Sequence, residues 1–362
     1  MDQPLAPTSI TATTPVTGNP AESNAGVPDA KHSESNPSRV KMKQALDSIV
    51  RMFTDATATP AEATAPPDPC GLRHGLSTGL QELDQMIAGL RPGNLFVVAA
   101  RPGMGKTSLM LKIAGDICMN QNVPTLIFSG QMTVSEIMQR LVFERAGVPP
   151  APFYQGNPLT KEDVHAIQLA VLEWISAKLS VDDTRGLSIE TLSAKARRAK
   201  QEDNIGFIAI DCLQSLRSDS PQAQVSRERE VAEISAGLKS LALELEIPIL
   251  VLANLNRRAD SRVVGNYRGI PRMSDLRESG AIEQDADMVG LLYRPSCYAE
   301  NAEEKEAEAG EAELILTKNR NGKTGWVPLL FIEDIMRFDN YPHHLMGSAS
   351  CSQDAVEREQ NL

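Results

Sequence analysis

The sequence predicts an α/β fold, a mostly parallel twisted sheet flanked by helices and followed by a late β-hairpin. Three observations predict it. Apolar runs recur at Leu95–Ala100, Thr125–Ser129, Phe207–Asp211, 249–253, Met288–Tyr293 and 313–317. Amphipathic helical patterns such as 190–201 and 228–245 separate them, the alternation of a sheet covered on both faces. The first run enters a glycine-bearing turn that opens a helix, and a later run ends in a carboxylate, Asp211.

The elements follow in chain order. Residues 1–37 are rich in Pro, Thr, Ser, Ala and Asn and are expected to be a disordered tail. Residues 38–54 place Met42, Ala45, Leu46, Ile49 and Phe53 on one helical face. With no folded neighbour in sequence, that face is expected to pack on the main domain or on another subunit. Residues 55–70, with four prolines, form a tether. One globular domain is expected over residues 71–341. Residues 326–332 pair with 313–318 as the late hairpin, the acidic run 300–313 is a solvated loop, and 342–362 is a second disordered tail.

Composition narrows the function. The chain has 362 residues and a net charge of −11, so no basic footprint covers it and any nucleic-acid contact must be local. Aromatics are 4%, too few for base stacking as the main grip. The five cysteines lie far apart with no C-x-x-C spacing, which points to neither zinc nor a disulfide framework. No stretch has the length and apolarity of a membrane span, and no basic-then-apolar leader opens the chain. A cytoplasmic location without membrane partners is the expectation.

The turn Ala100, Arg101, Pro102, Gly103, Met104, Gly105, Lys106, Thr107, Ser108 has the grammar of a phosphate-binding loop. Backbone N–H groups of the turn and helix start point at phosphate oxygens. Lys106 can reach the β- and γ-phosphates of a nucleotide such as ATP, and the Thr107 hydroxyl can ligate Mg2+. Ala100 stands where the general pattern has its first glycine. Asp211 is expected to hold the hydrated Mg2+. Other strand ends carry Gln131, Asn254, Lys318 and Arg320, and strand ends gather at one crevice in such sheets. The cationic pair is expected at a hairpin tip, stabilising charge on a transferring phosphoryl group from within or from a neighbour.

These stretches, with 78–84, 210–214, the run 274–287 and 318–322, resemble the RecA-like ATPase domain of hexameric replicative DNA helicases of the DnaB type. Ala100 at the first glycine position is shared by that family. The resemblance implies a six-subunit ring, ATP between neighbours, Lys318 and Arg320 reaching the neighbour's nucleotide, and Arg320 as the arginine finger. It implies that Arg277, Glu278 and Gly280 contact single-stranded DNA in the central hole. Segment 38–54 resembles the linker helix that docks on the adjacent subunit. Primase, helicase loader and full-length helicase are the protein partners it implies.

Three departures stand out. The resemblance implies an N-terminal helical collar ahead of segment 38–54, and the expected disordered tail 1–37 stands in that place. Gln131 replaces the glutamate that activates water, and an amide accepts no proton, which puts fast hydrolysis in doubt. Asn254 replaces a glutamine that senses the γ-phosphate. Two functions follow: an ATP-driven helicase or translocase, or an ATP- and DNA-binding ring subunit of low turnover that serves a true helicase. A recombinase-like or clock-type ATPase sharing the fold fits the run 274–287 least well.

Overall fold

A computed structural model describes residues 75–221, 223–264, 267–276 and 279–342. The expected segments 1–37, 38–54 and 55–70, and the tail beyond residue 342, lie outside the described residues, as do Arg277 and Glu278.

The chain forms β1 (Leu95–Ala100), β2 (Thr125–Ser129), β3 (Leu179–Asp182), β4 (Phe207–Asp211), β5 (Ile249–Asn254), the short β6 (Val263–Val264) and β7 (Tyr267–Arg268), β8 (Met288–Tyr293), β9 (Glu311–Asn319), β10 (Gly325–Ile332) and β11 (Arg337–Asn340). Nine strands make one sheet in the order β11-β10-β9-β8-β1-β5-β4-β2-β3, and β6 pairs with β7 apart from it. The stretch from β8 to β3 is parallel; β9, β10 and β11 add antiparallel. The predicted mixed architecture is the one observed.

The apolar runs are buried on both faces because a two-residue period splits each strand between two cores. Phe96, Val98 and Ala100 of β1 join one core; Leu95, Val97 and Ala99 join the other. Helix α1 (Gln81–Ile87) precedes the sheet. Helix α2 (Lys106–Met119) fills the first core with Leu109, Met110, Ile113, Ala114 and Ile117. It is followed by α3 (Val134–Ala146), α4 (Pro150–Tyr154), α5 (Lys161–Ser176) and α6 (Ile189–Glu202). Helix α7 (Arg227–Leu245) covers the second core through Val231, Ile234, Leu238 and Leu241. Helices α8 (Ser279–Asp285) and α9 (Ala302–Ala307) flank β8.

Two expectations are corrected. The acidic run is not wholly loop: Asn301 caps α9 by accepting from the Glu304 N–H, and β9 already starts at Glu311. Lys318 and Arg320 do not project together from the hairpin tip: Lys318 lies at the end of the strand, as the 313–318 pairing expects, and Arg320 in the turn. Lys318 pairs with Val289, and the tip is the turn after Asn319. No helix among the described residues is long and apolar enough to cross a membrane.

Candidate active site

Four parallel strands bring their C-terminal ends to one edge. Ser129 pairs with Asp211, and two residues further along the strands, at the sheet edge, Ala100 pairs with Asn254 in one row. The turn after β1 hangs from that row. Gly103 (φ 86°) and Gly105 (φ 89°) both take left-handed backbone, and a Cβ on Gly105 would also meet the Phe338 ring at 3.0 Å. Ala100 is absent from the positive-φ residues and ends an ordinary strand, so this position needs no glycine. Pro102 and Gly103 are exposed, while Met104 and Ser108 are buried and anchor the turn to the core.

Lys106 Nζ donates to the carbonyls of Ala100 at 3.0 Å and Arg101 at 3.1 Å. Burial lowers its pKa, with the Asp211 carboxylate opposing. Asp211 is 5% exposed, and its Oδ2 accepts the Thr107 hydroxyl at 2.7 Å. Burial raises the Asp211 pKa, against that hydrogen bond and the Lys106 charge. Thr107 and Asp211 offer two adjacent hard oxygens, a donor set that fits Mg2+ completed by phosphate and water. No cluster of three His, Cys, Asp or Glu residues suited to a metal occurs among the described residues.

Gln131 follows β2 on a turn pinned beside Asp211. The Gly130 N–H donates to Asp211 O at 2.9 Å, and Ser129 Oγ donates to Met132 O. Gln131 Nε2 reaches Cys212 Sγ at 3.2 Å, and Asn254 Nδ2 approaches the same sulfur at 3.9 Å. The two side chains that depart from the helicase pattern thus meet at one thiol, a contact that neither motif nor spacing announces. Glu136, the nearest carboxylate in sequence after Gln131, is engaged in the cap of α3. Its Oε2 accepts the Thr133 N–H at 2.7 Å while Thr133 Oγ1 accepts the Glu136 N–H.

Lys318 and Arg320 lie elsewhere. β8 runs parallel to β1, and β9 runs antiparallel to β8 with Met288 opposite Asn319. Arg320, bonded to Asp287, therefore stands at the edge where β1 begins, with six residues of strand, about 20 Å, between it and the chain's own phosphate loop, while Lys318, level with Val97, stands about half as far along the strand. Arg320 pairs with Asp287 at 3.0 Å and keeps 52% of its side chain exposed. The other Asp287 oxygen takes Lys239 Nζ at 2.6 Å and the Leu95 N–H at 2.8 Å. Lys318 Nζ donates to the carbonyls of Glu283 and Gln284 near the end of α8, the end where a helix favours a cation. Burial lowers the Lys318 pKa, and Arg320 lowers it further. Gly280 is exposed on α8, with open space where a Cβ would project.

Asp287, Cys212 and Asp260 are neighbouring side chains the sequence left unassigned; Asp260 touches Arg101 and Tyr298 and stands outside the binding machinery itself. Asp287 has one readable signal, a carboxylate just before an apolar run, that is, at the start of a buried strand. Asp260 grips Arg101 through a terminal guanidinium nitrogen at 2.8 Å, which no local spacing predicts.

On α3, burial pushes the Glu144 pKa up to about 7; Lys112 and Arg337 pull it back and Asp339 adds to it. A carboxyl with a raised folded-state pKa contributes stability that is full below its unfolded pKa and is lost as pH rises through the folded one. Glu144→Gln is therefore expected to raise the unfolding free energy at pH 8 by about 1–3 kcal/mol and to change little at pH 5. Thermal melts of both proteins at the two pH values check this. Equal shifts at both would refute it.

Residues 75–340 match the family described as DnaB-like helicase C terminal domain. Over 266 residues the chain is 38% identical to the replicative DNA helicase DnaB of Geobacillus stearothermophilus, an alignment spanning 74% of this chain and 56% of that protein. The replicative DNA helicase DnaC of Bacillus subtilis (strain 168) gives the same 38%, 74% and 56%. The chain spans about half the length of these curated relatives. Among solved structures, one described as an ATPase domain superposes with a TM-score of 0.72 at 29% identity, covering 83% of this chain and 99% of that one. A structure described as that of a DnaB-like replicative helicase and its interactions with primase superposes with a TM-score of 0.68 at 27% identity, covering 84% and 78%.

Proposed function

Since the chain belongs to the DnaB-like helicase C-terminal domain family, we propose that it is an ATP-driven DNA helicase or translocase, one subunit of a six-membered ring around single-stranded DNA. One observation carries this reading: a phosphate loop at one edge of the sheet and an exposed Arg320 at the other. Arg320 thus stands away from the chain's own phosphate loop, where a neighbour's nucleotide can meet it.

The residues divide the work. Backbone N–H groups of 100–108 hold the phosphates, and Lys106 leaves its carbonyl partners for the β- and γ-oxygens. Thr107 and Asp211 hold Mg2+, which when bound neutralises charge developing on the phosphates. Gln131 orients the attacking water, and Asn254, anchored by its N–H to Gln214 Oε1 at 3.1 Å, senses the γ-phosphate. Arg320, assisted by Lys318, stabilises charge on the neighbour's transferring phosphoryl group. Arg277, Glu278 and Gly280 track the DNA strand through its phosphates, independent of sequence. A primase is the protein partner to test first, given the primase interactions described for the DnaB-like neighbour; a helicase loader and a full-length helicase follow.

The low-turnover reading has its own support, since Gln131 takes no proton and Glu136 is committed to a helix cap. Phosphoryl transfer rests mostly on positioning and charge, so an amide lowers the rate without abolishing it. Gln131→Glu is expected to raise DNA-stimulated ATP turnover about tenfold or more. Measuring both proteins side by side tests the reading. Wild-type turnover equal to that of the variant would place the base elsewhere.

Assembly has a matching surface. Helix α5 leaves Leu169, Leu172 and Ile175 at 50%, 64% and 75% exposure. That apolar face of the helix is open to a neighbouring subunit. Deleting residues 1–60, or Leu172→Glu, is expected to shift the protein from rings to monomers in sedimentation. Intact rings in both would remove this contact from the account.

A further inference from the structure

We infer that Asp260 positions Arg101 of the phosphate loop and, through that grip, couples the nucleotide site to the segment that leads into the DNA-contacting residues. The inference rests on the functional reading above and adds a route between its two sites.

Arg101 belongs to the loop that cradles phosphate, yet its side chain turns outward. Arg101 Nε donates to both Asp260 oxygens at 2.9 and 3.0 Å, and one terminal nitrogen adds a bond to Oδ2 at 2.8 Å. The other terminal nitrogen donates to Leu255 O at 3.1 Å. Every guanidinium nitrogen is thus spent on the segment following β5. A forked grip of this kind fixes orientation as well as distance. Asp260 is held from the far side by the Tyr298 hydroxyl at 3.1 Å, and Tyr298 stacks on the buried Tyr293 of β8. The Arg101 hydrogen bonds, ahead of the Tyr298 one, hold the Asp260 carboxyl below its usual range.

The segment that Arg101 grips behaves as one body. The Leu255 N–H donates to Ala100 O at 3.2 Å, and Leu255 bridges Leu276. The Asn256 N–H donates to Asp275 O at 2.8 Å. Arg262 holds both oxygens of the buried Asp275 and also donates to Ile270 O at 2.7 Å. Leu276, the last described residue of this body, leads straight to Arg277, Glu278 and Gly280. A shift of the loop backbone at Arg101 is therefore transmitted to the start of the DNA-contacting stretch through hydrogen bonds at each link. Coupling of this sort is reciprocal, because each ligand changes the affinity of the other by one factor.

The test uses the full chain, Mg2+, a non-hydrolysable ATP analogue and a fluorescent oligothymidylate. Wild-type DNA affinity is measured with and without the analogue, and analogue affinity with and without DNA. Wild type is expected to show a coupling factor of about fivefold or more. Asp260→Ala is expected to keep each single-ligand affinity within about twofold and bring the coupling factor close to one. Asp260→Glu, which keeps the carboxylate, is expected to restore coupling, a rescue that a general packing role would not produce. If Asp260→Ala does not fold, Tyr298→Phe carries the test, with coupling reduced at least about twofold. Full coupling in Asp260→Ala, or in its substitute, overturns the inference, as does a wild type that binds both ligands independently. A wild type that binds neither ligand instead overturns the functional reading, and this inference falls with it.

Discussion

Arg320→Ala is expected to lower DNA-stimulated ATP turnover by about 10³-fold or more while leaving nucleotide affinity within about twofold. The first effect follows from the missing finger at a neighbour's phosphate, the second from its distance to the chain's own phosphate loop. The fold should tolerate the change. Asp287 keeps Lys239 and the Leu95 N–H when Arg320 is gone, so no buried carboxylate is left alone. Steady-state ATPase assays with titration calorimetry check this. A fall in affinity matching the fall in turnover would mean that Arg320 serves binding within its own subunit or holds the fold.

Lys106→Ala is expected to weaken nucleotide binding by about 100-fold or more and to remove turnover, since the phosphates lose the loop cation that reaches them. Stability should change far less. The Ala100 carbonyl that Lys106 now occupies also accepts from the Leu255 N–H, so that acceptor stays paired. Calorimetry with an ATP analogue checks it. An unchanged affinity would remove the phosphate-loop assignment.

Much of this architecture is legible in the sequence because its signals are local. Strands β1, β2, β4, β5 and β8 are continuous apolar runs, since both faces of each are covered, and the turn 100–108 carries its own glycines. Strand β3 escapes notice because Leu179–Asp182 is a half-buried edge strand of four residues with no apolar run. Strand β11 escapes because Phe338 is its one buried residue. The strand 313–318 is legible, but what Lys318 and Arg320 face is not, because only the register of β9 against β8 sets it. Contacts such as Gln131 with Cys212, Arg101 with Asp260 and Arg320 with Asp287 join residues 33 to 159 positions apart, so no motif window contains them.

The central claim is that an active site is completed by the next subunit. Mixing Lys106→Ala protein with Arg320→Ala protein tests it most directly, because each is inactive for a different half of the site. In mixed rings, about one interface in four joins an intact phosphate loop to an intact Arg320. The account predicts that ATPase activity absent from either protein alone returns on mixing and peaks near equal proportions. No recovery at any ratio, with mixed assembly verified by co-purification of two tags, would contradict it.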